Sequence, residues 1–252
     1  VASLIQRVAP HQGAVLSDAS ISSDPASSLR VKGDGVSLAV TLPKASSLSA
    51  GTRTGDGTVV YRAVNGPSTA VQALSSGAVR VQSVIGSASE GKTFSYSFGD
   101  GFRPVKATDG YFYVVGFDPT GKFTAFSVAA AWARDANGND VATNYVIQGD
   151  NLVQVVSPSP TAAYPIVADP TWQWYSAAYG AGFSKKETRT LASAGAVSGF
   201  CGLLPGPFAI ACGVLGADWW TQAGLAAEAN ECVFIAVVPA PIAMRWITSA
   251  CK

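Results

Sequence analysis

The chain has 252 residues, 48% of them hydrophobic and only 13% charged, and its 17 Lys and Arg nearly cancel 16 Asp and Glu to leave a net charge of +1. Such a balance provides no concentrated basic face of the kind that phosphate backbones require, so nucleic acid is excluded as the expected partner. The length suits one large β domain with a small appendage.

Residues 1–30, centred on SDASISSDPASS, read as a loosely ordered arm. The opening VASLIQRVAPHQG lacks the basic and apolar regions of a secretory leader, so the expectation is a mature chain whose leader has been removed. The single histidine, His11, falls in this arm. With no G-x-S-x-G, H-E-x-x-H or P-loop pattern either, no catalytic constellation emerges, and no cofactor or metal is called for.

From residue 31 to 157 the pattern becomes β-rich. SLAVTLP, GTVVYRA, TAVQAL, AVRVQSVI, KTFSYSF, GYFYVVGF, FTAFSVAAAW, TNYVIQG and NLVQVVSP are β-branched or aromatic runs, separated by GDG, NGP, TDG and ANGN turns. Their spacing predicts an antiparallel, sandwich-like fold. Within this region Asp135, Asn137, Asn139 and Asp140 form the densest oxygen cluster. Turn structure is the preferred reading, with weak calcium binding as the alternative.

Residues 158–182 are proline-rich and predict an extended connector rather than a central strand. Trp172, Trp174, Tyr175 and Tyr179 cluster there. Aromatics of this kind stack on sugars, sit at membrane interfaces or dock one region onto another, and docking is preferred.

Residues 183–252 predict a small helical domain. Ser184 and Glu187 have capping-box spacing, so a helix is expected from about Lys185, ending before the LLPGPF break. A second helix follows over about 208–230, then an extended CVFIAVVP, then a final turn or helix over 243–249. All four cysteines, Cys201, Cys212, Cys232 and Cys251, lie in this segment without a CxxC or a nearby histidine. Two disulfides and an oxidising, extracellular compartment are the expectation. Of three possible pairings, Cys201 with Cys212 and Cys232 with Cys251 each bracket a proline-containing turn.

No charge occurs between Arg189 and Asp218, and Gly195 with Gly199, then Ala209 with Gly213, repeat the small-xxx-small spacing of close helix contacts. A helical hairpin entering a membrane and a tightly packed core both fit this pattern, and the packed core is preferred on physical grounds.

Three segments resemble a recurring module of secreted actinobacterial proteins: AAAWARDANGNDVATNYVIQGDNLVQVV (Ala129 to Val156), AYPIVADPTW (Ala163 to Trp172) and FSKKETRTLA (Phe183 to Ala192). The four-cysteine apolar tail with CVFI and a terminal Cys is similar to small exported proteins of the same bacteria. The resemblance implies secretion and a β-rich scaffold placed ahead of variable C-terminal regions, some of them toxin-like. It carries no catalytic residues. The expectation at this level is an α+β, non-enzymatic, bacteriocin-like protein acting on a target membrane, with a cell-surface, carbohydrate-binding or protein-binding module as the alternative.

Overall fold

A computed structural model describes the chain except residues 1, 10–13, 18, 28, 34–35, 100, 108–109, 118–122, 178, 239–240, 247–250 and 252. His11 therefore lies outside the described residues. The elements in chain order begin with α1 (Ala2–Val8), β1 (Leu29–Gly33), β2 (Val36–Thr41), β3 (Thr52–Arg53), β4 (Val59–Tyr61), β5 (Ser68–Ala73) and β6 (Val79–Ile85). Next come β7 (Thr93–Phe98), β8 (Phe102–Lys106), β9 (Phe112–Phe117), β10 (Phe123–Val128), β11 (Trp132–Arg134), β12 (Ala142–Gln148) and β13 (Asn151–Ser157). The last are β14 (Ile166–Asp169), β15 (Thr171–Ala177), β16 (Tyr179–Gly182), α2 (Lys185–Ala192), α3 (Val197–Gly202), α4 (Gly206–Glu228), β17 (Cys232–Val238) and β18 (Ile242–Trp246).

Two compact units result, Val1–Pro104 with Phe126–Tyr175, and Val105–Ala125 with Ser176–Lys252. The α+β class with a sandwich-like region is thus the architecture, but the units are not consecutive stretches of chain. The physical reason is a shared core: Val105, Tyr113, Val115 and Ala125 pack with Phe234, Ala236 and Met244.

In the first unit an antiparallel sheet of order β1-β2-β7-β13-β12 accompanies a second sheet in which β3, β4, β5 and β6 follow one another. Tyr96 on β7 meets Trp172 on β15 edge to face, with ring centroids 5.1 Å apart, so the two sheets share a core. The expected arm is instead partly ordered. Ile5 and Val8 of α1 are buried against Val60, Ala70, Val84 and Val167. A helix this short is marginal alone, and burial of the two side chains, about 1.5–3 kcal/mol each, holds it down.

The expected connector is likewise corrected, because β14 and β15 form a central strand. Ile166 lies opposite Ile85 and Trp172 opposite Val79, so one uninterrupted register against β6 runs through Asp169 and Pro170. Pro170 costs the ladder one donor only. Its carbonyl still accepts from the Val81 N–H at 3.0 Å.

In the second unit β17 is the central strand of an antiparallel sheet of order β16-β17-β18 and is covered on both faces. Val233 and Ile235 pack with Phe200, Phe208 and Trp219 on the helical side, while Phe234 and Ala236 belong to the core with Tyr113 and Val115. Two-sided burial explains why CVFIAVV lacks polar alternation. The region expected to be helical is therefore mixed, and β18 replaces the final turn or helix. Its residues Arg245 and Met244 pair with Val233 and Phe234 of β17.

Candidate functional site

Two neighbourhoods concentrate the chemically distinctive residues. The first joins two of the quoted motifs. Strand β11 pairs antiparallel with β14, setting Trp132 opposite Asp169. The Asp169 carboxylate accepts from Trp132 Nε1 at 2.8 Å and from Thr171 Oγ1 at 3.0 Å, and Arg80 Nε lies 3.2 Å from it with both charged side chains buried. Tyr145 donates its hydroxyl to the Asp169 carbonyl at 3.0 Å. From Arg80 a polar chain continues through Gln72 and Thr58 to Asp56, which also accepts from Gln6 on α1.

Burial raises the Asp169 carboxyl to about 7, against the opposing effects of Arg80, Thr171 and Trp132. The ring of donors supports structure: each carboxylate oxygen is occupied by a neighbour, and the group sits 1% exposed inside the sheet. No substrate-facing acid or base is formed by these residues.

The Asp135 cluster also resolves into a turn. Asp135 is buried and accepts from the Asn137 and Asn139 backbones at 2.9 Å each, from Asn139 Nδ2 at 3.2 Å, and from the Ala163 backbone at 3.2 Å. Burial pushes its pKa up, but these hydrogen bonds outweigh it and hold the carboxyl below its usual value. Asp140 turns instead to Arg134 at 3.0 Å. Among the described residues no group of three or more His, Cys, Asp or Glu is placed to hold a metal ion.

The second neighbourhood is the disulfide-braced tail. Cys201 is bonded to Cys212 and Cys232 to Cys251, with Cα separations of 5.5 and 5.6 Å. The first bridge ties α3 to α4, and the second ties the start of β17 to the residues after β18. Helix α2 has the full capping box, with Ser184 accepting from the Glu187 backbone and Glu187 accepting from the Ser184 backbone. Buried Thr188 anchors it further, since its hydroxyl accepts the Val233 N–H at 3.0 Å.

The small-residue reading changes here. Gly195 and Gly199 are exposed and do not make close contacts: a side chain at Gly195 would meet nothing within 4 Å, and one at Gly199 only Ala194 at 3.7 Å. Gly195 precedes α3, so the two glycines do not share one helix face. Ala209 is half-buried in α4, and Gly213 lies in the same helix with surroundings outside the described residues. The residue that permits close approach is Gly216, where a Cβ would fall 2.6 Å from Val197 Cγ1 and 2.8 Å from Cys201 Sγ. Sequence reasoning missed it because the close contact is between α3 and α4 across the prolines, a geometry no spacing rule encodes.

Of the aromatic cluster, Trp172 is fully buried and so is no stacking platform. Trp174 and Tyr175 lie in β15 and Tyr179 in β16, with side chains outside the described residues. What the second unit does expose is an uncharged surface: Ser193, Gly195, Ala196, Ser198, Gly199, Gly202 and Leu203, the last 51% exposed. No helix among the described residues is long and apolar enough to cross a membrane. Comparison of the chain with protein-family models and with curated proteins yields no match.

Proposed function

We propose that this is a non-enzymatic extracellular binding protein of bacterial origin, in which the β-rich unit is a rigid carrier and the disulfide-braced unit presents the uncharged surface over residues 193–203 to a cell-surface target. One observation carries this reading. In the charge-free stretch after Arg189 the large side chains Phe200, Leu204 and Phe208 are spent on the core, while small uncharged residues and Leu203 remain outside. A surface of this composition is cheap to desolvate on binding, because it has few long side chains to order and no charge to strip of water. The two disulfides support an oxidising compartment.

Membrane action is the second reading, and α4 favours it. Its 23 residues carry only Asp218 and Glu228 as charges, and its apolar residues surround the helix instead of forming a stripe. Insertion requires the unit to open, because Phe208, Cys212 and Trp219 now fill its core. Fluorescently labelled, oxidised protein applied to Gram-positive cells and to dye-loaded liposomes separates the two readings. Saturable retention on cells without dye release supports the binding protein; dye release at the same concentrations supports membrane action and overturns it.

A further inference from the structure

Six asparagines occur in the chain, and two of them precede glycine, Asn65 before Gly66 and Asn137 before Gly138. An asparagine side chain carries an electrophile, the amide carbon Cγ, that can close a five-membered ring with the backbone nitrogen of the next residue. A bulky next residue screens that nitrogen, as Asp140, Tyr145, Leu152 and Glu231 do after Asn139, Asn144, Asn151 and Asn230. Glycine leaves it open. At Gly66 and Gly138 alike, the place of a Cβ has no neighbour within 4 Å.

The fold separates the two sites. Gly138 donates its N–H to the Asp135 carbonyl at 2.9 Å, and the Asn137 N–H is held by Asp135 Oδ1 at 2.9 Å. One buried residue thus pins the peptide groups on both sides of Asn137, so the Gly138 nitrogen loses a hydrogen bond before it can shed its proton or swing onto Cγ. Among the described residues Gly66 N–H makes no such bond. Asn65 is exposed, and its neighbour Val64 is 81% exposed. The Leu48↔Ala63 bridge and the Tyr61↔Thr69 pair lie below this loop, so residues 64–67 can change torsion without opening the β4–β5 ladder.

We propose that Asn65 is a site of spontaneous covalent modification, converting to a mixture of aspartate and isoaspartate while Asn137 stays intact. Solvent base removes the Gly66 amide proton, the nitrogen attacks Asn65 Cγ, and the Cγ–Nδ2 bond breaks to release ammonia. Water then opens the succinimide. Attack at Cγ yields aspartate, and attack at the main-chain carbonyl yields isoaspartate, with no change of oxidation state. The product gains a carboxylate beside exposed Val64 and lowers the net charge of +1 by one. Because ammonia escapes, the step is irreversible, and the acidic fraction records the time since the chain folded.

Peptide mapping by mass spectrometry of the intact, oxidised protein, aged in acidic and in mildly alkaline buffer, tests this, with labelling by an isoaspartyl methyltransferase as a second readout. In the folded chain Asn65 should convert at least about tenfold faster than Asn137, and faster in the alkaline buffer. In urea the two rates should converge, because each asparagine precedes a glycine. Asn65→Gln, whose ring closure would need six members, should abolish the acidic form and leave the circular dichroism unchanged. Equal rates in the folded protein, or an Asn65 that is stable folded and converts only in urea, overturn the proposal. So does a converted Asn65 peptide that the methyltransferase does not label, since direct hydrolysis yields aspartate alone.

Discussion

Trp132 and Asp169 stand opposite one another in the β11–β14 ladder, and the indole N–H of the first donates to the carboxylate of the second at 2.8 Å. This contact joins AWARDANG to YPIVADPTW, and it places Arg80 in a buried ion pair at the junction. Trp132→Phe should keep the ring packing and cost about 1–3 kcal/mol by leaving Asp169 one donor short. Asp169→Ala removes the carboxylate from a buried guanidinium and should cost about 3–5 kcal/mol. Urea denaturation measures both; losses under about 0.5 kcal/mol would show that the pair does not hold the sheet together.

The same pair sets a pH dependence with an unusual sign for a carboxylate. Burial raises Asp169 from 3.8 to about 7, so the native state holds a proton that the unfolded chain has released over this window. Its contribution to stability is complete below 3.8 and is lost as pH rises to about 7. Amide exchange at β6 should therefore be slower at pH 5 than at pH 8 after correction for intrinsic rates. In Asp169→Asn this difference should shrink. Equal protection at the two pH values in the wild type would contradict the assignment.

Glycines in the tail should divide into two classes. Gly216→Ala forces a methyl into Val197 and the Cys201 sulfur and should destabilise the unit by about 1–3 kcal/mol. Gly199→Ala lies on the exposed face of α3 and should be neutral or stabilising by about 0.5–1 kcal/mol. Thermal denaturation of the oxidised protein distinguishes this order from the reverse, which the small-xxx-small pattern alone suggests.

How far the sequence reaches is visible in these same residues. The Ser184 capping box and most strands are legible because they are local: a cap three residues from its partner, or an alternating run between turns. The disulfides follow from two short loops bracketing prolines. What escaped is long-range. Pro170 reads as a strand breaker until Val81 is seen to need only its carbonyl. Ile5 and Val8 read as an arm until the sheet face beneath them is known. Arg80 is a charge within the strand-like run AVRVQSVI, and its partner lies 89 residues further on, at Asp169.

Thr188 should be as important to the tail as its cap. Its hydroxyl accepts the buried Val233 N–H at 3.0 Å, so Thr188→Val keeps shape while orphaning a donor, at a cost of about 1–3 kcal/mol. Thr188→Ser should recover most of that loss. Urea titration of the two variants checks this, and equal losses would place the effect in packing instead of the hydrogen bond.

The uncharged surface of the second unit is the centre of the functional account, and Gly199 lies within it. The most direct measurement is a binding isotherm of the oxidised Gly199→Asp variant on intact Gram-positive cells, beside wild type and with circular dichroism of both. An exposed carboxylate there leaves the fold intact and must be desolvated when a target covers it. The account predicts wild-type spectra and melting with binding weakened at least about tenfold. Unchanged binding by a correctly folded variant would contradict it.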